Sequence, residues 1–65
     1  MITIEFYADT LHTALIGAVD VPAKRVMESV ETLGKAVCRV RKLNVVECVM
    51  IDENGNSVDQ CFIFR

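Results

Sequence analysis

Apolar and polar residues alternate from Met1 to Ala8. Ile2, Ile4, Phe6 and Ala8 fall on one face, and Thr3, Glu5 and Tyr7 on the other. A period of two is that of a half-buried strand. The spacing then changes. Leu11, Ala14, Leu15, Ala18 and Val19 recur at three- and four-residue steps, which predicts a short helix capped by Asp9 or Thr10. Gly17 weakens it by roughly 1 kcal/mol relative to alanine. Asp20-Val21-Pro22 reads as a tight corner, with Asp20 as N-cap and Pro22 in a first turn where it loses no helical hydrogen bond. Ala23, Val26, Met27, Val30 and Leu33 repeat the helical stripe, and Gly34 suits the left-handed residue that ends a helix. Neither helix is long enough to persist alone, so each must bury its stripe against the other and against a sheet.

The period of two returns over Ala36–Lys42, which predicts a strand with Ala36, Cys38 and Val40 on one face and Val37, Arg39 and Arg41 on the other. Lys42-Leu43-Asn44 reads as a turn, with a bend in one long strand over residues 36–51 as the alternative. Val45–Ile51 is apolar on both faces except at Glu47, as in a central strand. Asn54-Gly55 is a strong hairpin signal, because both residues accept positive φ. The last strand, Val58–Phe64, places Val58, Phe62 and Phe64 on one face and Cys61 and Ile63 on the other. The expected order is strand-helix-helix-strand-strand-strand. That is a single α+β domain over residues 1–65, a small antiparallel sheet packed on two short helices.

The stretch Leu15-Ile16-Gly17-Ala18-Val19-Asp20-Val21-Pro22 is followed by Val26, Val30 and Leu33, and then by Gly34-Lys35-Ala36-Val37 leading into a strand. Over residues 10–43 this resembles helix-turn-helix and winged-helix DNA-binding domains. The resemblance implies two helices crossing steeply, with Lys24 and Arg25 opening a recognition helix and Arg39, Arg41 and Lys42 forming a basic wing. The chain departs from that pattern at Ile16, where a small residue is wanted, and at Asp20, where glycine is. An ordinary helical pair on a sheet accounts for the same residues.

Charge sharpens this choice. Residues 24–42 carry six basic side chains against two acidic ones, net +4, while the remainder carries one against seven, net −6. Lys24, Arg25, Arg39, Arg41 and Lys42 are therefore the candidate contacts to DNA or another anionic partner. Glu28 and Glu31 stand among them and would repel phosphate. Hydrophobic residues make up 52% of the chain, more than so small a core needs, and the surplus points to self-association. As an apolar edge strand, Val58–Phe64 would pair with a neighbour's, placing the homodimer contact at Cys61 and Ile63.

Candidate chemistry is sparse. Asp9 and His12 could pair as acid and base, but an aspartate cap beside a surface histidine explains the same spacing. Cys38, Cys48 and Cys61 are widely spaced, which fits buried reduced thiols better than a disulfide framework or a zinc site. The three glycines are isolated and form no phosphate loop. No catalytic residue, metal or cofactor is therefore assigned. No apolar run approaches the length of a membrane span, and Glu5 and Asp9 stand where a signal peptide would be apolar, so a cytoplasmic location is expected. The sequence thus predicts a non-enzymatic, self-associating protein-interaction module, whose small size and lack of chemical groups suit an accessory or inhibitory protein such as mobile elements often encode. A helix-turn-helix DNA-binding regulator is the alternative.

Overall fold

A computed structural model describes residues 1–65. The chain runs β1 (Ile2–Tyr7), β2 (Leu15–Val21), a single 3-10 turn (Ala23–Arg25) that leads into α1 (Val26–Arg41), β3 (Val45–Ile51) and β4 (Ser57–Phe64). All four strands form one antiparallel sheet in the order β2-β1-β3-β4. The class is α+β, as expected, but there is one helix rather than two.

The expected first helix is instead a loop, residues 8–14, followed by β2. Val19 pairs with Ile4 and Val21 with Ile2, so these apolar residues complete a sheet rather than a helix stripe. Ile16, Val19 and Val21 are β-branched, which favours the pleated surface. Asp20, expected to cap a helix, lies in β2 and accepts a hydrogen bond from the Thr3 hydroxyl. The paired helices implied by the helix-turn-helix resemblance are thus replaced by a strand and a helix.

The expected strand Ala36–Lys42 is the second half of α1. Gly34 does not end the helix. It is buried in mid-helix, where an added Cβ would lie 2.8 Å from Cβ of Ile63. Glycine here lets α1 approach β4 closely, and Val30, Gly34 and Cys38 form one buried stripe. The helix ends at Lys42, left-handed with φ 57°. There Leu43 donates its N–H to the Cys38 carbonyl at 2.9 Å, satisfying a free helix end. The expected turn at Lys42-Leu43-Asn44 is therefore present. So is the hairpin turn, with Gly55 at φ 84°.

The core lies between α1 and one face of the sheet. Ile4, Phe6, Val21, Val46, Cys48 and Met50 meet Val30 and Cys38 of the helix. Cys61 and Ile63, expected at a self-association surface, pack against this core instead. The Cys38 thiol donates to the Ile63 carbonyl at 3.6 Å. The exposed side of β4 belongs to Phe62 and Phe64.

Candidate functional site

The sheet face opposite α1 has no helix or second sheet over it. Residues paired across antiparallel strands project to the same side. One row of that face is therefore Tyr7, Glu47 and Phe62, and the next is Glu5, Val49 and Gln60. Val45 and Phe64 make a third. Phe62 and Phe64 remain 48% and 67% exposed, although each would be stabilised by burial.

Glu47 stands in the centre of this face and is only 5% exposed. A buried carboxylate demands a partner. His12 supplies it, with Nε2 at 2.8 Å from the carboxylate. The imidazole also lies over Tyr7, with ring centroids 4.7 Å apart. The loop 8–14 holds His12 there. Asp9 accepts the backbone N–H groups of Thr13 and Ala14, each at 3.2 Å, together with the Thr13 hydroxyl. Those bonds hold the Asp9 carboxyl below its usual range, chiefly through the Thr13 hydroxyl. His12 adopts φ 57° to reach inward.

The expected Asp9–His12 pair is not formed, because each has another partner. That of His12 lies 35 residues away in sequence. Glu47, Tyr7 and Glu5 were missed as site residues for this reason. The one signal in the sequence is the single charge within the apolar run Val45–Ile51.

A carboxylate-oriented imidazole can serve as a base, but it needs a group to activate. The neighbouring hydroxyl, on Tyr7, donates to Glu5 at 2.8 Å. The Cys48 thiol lies on the other face, and burial pushes its pKa up to about 12. Burial raises Cys61 as well. Neither the Tyr7 hydroxyl nor the Cys48 thiol is therefore presented to the imidazole as a nucleophile.

Glu5 also raises the Tyr7 phenol above its ordinary pKa of 10.0, by accepting its hydrogen bond. Tyr7 is the only tyrosine and there is no tryptophan, so tyrosinate absorbance reports this group alone. A titration is expected to give a midpoint above 10, and Glu5→Gln to bring it down. A midpoint unmoved by Glu5→Gln would remove the bond from the account. The bond's contribution to stability is full below the unfolded-state value and is lost as pH rises through the folded-state one.

The candidate basic side chains all belong to the helical segment and its C-cap. Lys24 and Arg25 open the helical segment, while Arg39, Arg41 and Lys42 close it. At a rise of about 1.5 Å per residue, Arg25 and Arg39 are roughly 21 Å apart along the axis. Arg39 and Arg41, expected to project together from a strand, are about 200° apart around the helix. The structure therefore divides these residues between the two ends of the helical segment, and around the helix at its C-terminal end, so that they form no single patch.

Beside β4 lies a groove of about 400 Å³, lined by Met27, Glu28, Glu31 and Lys35 of α1 and by Phe62 and Phe64. A smaller hollow of about 210 Å³ lies between α1 and Ile16 of β2. No helix is long and apolar enough to cross a membrane. No family model, curated protein or solved structure matches this chain.

Proposed function

We propose that this chain is a small protein-interaction module that self-associates through the outer edge of β4. The observation that carries the reading is an apolar strand left open on one side. β4 pairs with β3 only. Arg65 donates its N–H to the Asn44 carbonyl at 2.9 Å, and hydrogen-bonded pairs alternate along an antiparallel ladder. Gln60, Phe62 and Phe64 consequently point their N–H and C=O groups away from β3. Such an edge is a template for another strand unless charge, proline or a bulge blunts it. Along Phe62–Phe64 none of these is present.

A second copy fits that edge. α1 lies over β3 and β4 and reaches β1 less. Its axis is then about half a strand spacing inside β4. Antiparallel pairing of two β4 strands at about 4.8 Å would set two helix axes about 10 Å apart, at the distance of packed helices. The helices would run antiparallel, bringing Glu28 and Glu31 of one copy toward Lys35 of the other. Phe62 of each copy would face Phe64 of the other as a cross-strand aromatic pair. The nucleic-acid alternative has less support, because the basic side chains split between the two ends of the helix.

Light scattering across a concentration series tests the reading. The expected mass rises from 7.3 kDa toward twice that value, and Lys35→Glu shifts the rise to higher concentration. A constant 7.3 kDa at the highest concentration would overturn it.

A further inference from the structure

The open sheet face offers a second surface, distinct from the β4 edge. Its charged groups are Glu5, Asp20 and Glu47, and no lysine or arginine projects from it. Its accessible apolar part is Leu15, Tyr7 and Phe62, which with Glu47 form one row across the sheet, while Val49 beside them is buried. An acidic, aromatic surface of this kind is complementary to a basic, amphipathic one and repels a copy of itself.

The chain's own loop shows what chemistry the centre of the face accepts. His12 presents a flat, cation-capable ring that packs on Tyr7 at a tilt of 38° and bonds Glu47 at 2.8 Å. It does so from an exposed loop, with 40% of its own side chain in solvent. A guanidinium has the same planarity, a permanent charge and donors matched to a carboxylate. We infer that the open face docks an arginine-bearing basic segment of another protein, whose guanidinium takes the place of His12 on Glu47 and Tyr7. Residues flanking that arginine would lie on Leu15 and Phe62, and a second basic side chain would reach Glu5. His12 is thus an internal competitor: it keeps Glu47 satisfied in the free protein and must swing out when the partner docks.

The test uses the full chain and a short fluorescein-labelled peptide alternating arginine and valine, followed by anisotropy. Its controls are the lysine–valine and glutamate–valine counterparts. The arginine peptide is expected to bind, the lysine peptide less tightly, and the glutamate peptide not at all. Glu47→Gln, nearly isosteric, is expected to weaken binding about tenfold or more, as loss of a charge-assisted bond does. His12→Ala is expected to tighten it severalfold, because the competitor is gone; a purely structural His12 would not produce that gain. Should Glu47→Gln fail to fold, Glu5→Gln serves, with a smaller loss expected. Equal affinity for wild type and Glu47→Gln, or equal binding of the glutamate peptide, overturns the inference. Lys35→Glu lies on the helix side and is expected to leave the affinities unchanged. Failure of docking is in this way separable from failure of self-association.

Discussion

Gly34→Ala is expected to destabilise the protein, and Gly34→Val to cost about 3 kcal/mol. Alanine in place of glycine inside a helix normally stabilises by up to about 1 kcal/mol. Here the new Cβ meets Cβ and both γ-carbons of Ile63 at 2.8–2.9 Å. Those atoms are anchored close to the β4 backbone, so the clash is relieved only by lifting α1. Overpacking of this kind costs about 1–3 kcal/mol, and the γ-methyls of valine push it to the upper end. A domain of this size has roughly 3–10 kcal/mol of stability, so the valine variant is expected to lose about a third or more of it. Urea unfolding followed by far-ultraviolet circular dichroism measures it. A Gly34→Ala variant more stable than wild type would mean that α1 does not rest on β4.

The second large effect concerns Ile4. It lies on a central strand, fully buried, between Val19 of β2 and Met50 of β3. Ile4→Ala is expected to cost about 2–5 kcal/mol, the transfer loss plus the cavity left behind. Glu47 is almost as deeply buried on the opposite face, yet Glu47→Leu is expected to cost less than about 1 kcal/mol or to stabilise. The difference is physical. His12 is half exposed, so removing the carboxylate lets the imidazole turn to water and leaves no buried charge alone. The same unfolding measurement distinguishes the two residues. A loss at Glu47→Leu as large as at Ile4→Ala would make the pair a structural element rather than a retained binding group.

Much of the sheet was legible from spacing. β1, β3, the Asn54-Gly55 hairpin and β4 follow from alternation and turn chemistry, and the structure keeps their boundaries within a residue or two. The misreading centred on residues 10–42, where two signals are ambiguous. The apolar run at Leu15–Val19 is too short for its period to separate helix from strand, and strand pairing with β1 decided it. Gly34 has the composition of a helix stop but serves as a point of close approach. Ending the helix there turned Ala36–Lys42 into an apparent strand and cut a 16-residue helix in half. The site was less legible than the fold. Cys61 and Ile63 are the residues the sequence picks for a strand-edge contact, and the register turns their side chains under α1. The His12–Glu47 pair exists only because β1, β3 and the loop converge, which local spacing does not report.

Backbone hydrogen exchange at β4 decides whether a second copy covers its open edge. The amides of Phe62 and Phe64 point away from β3, so a lone copy leaves them to water. The account predicts that both exchange slowly at high protein concentration and quickly on dilution, while β3 amides stay protected throughout. Fast exchange of Phe62 and Phe64 at every concentration, beside a protected β3, would contradict self-association through this edge.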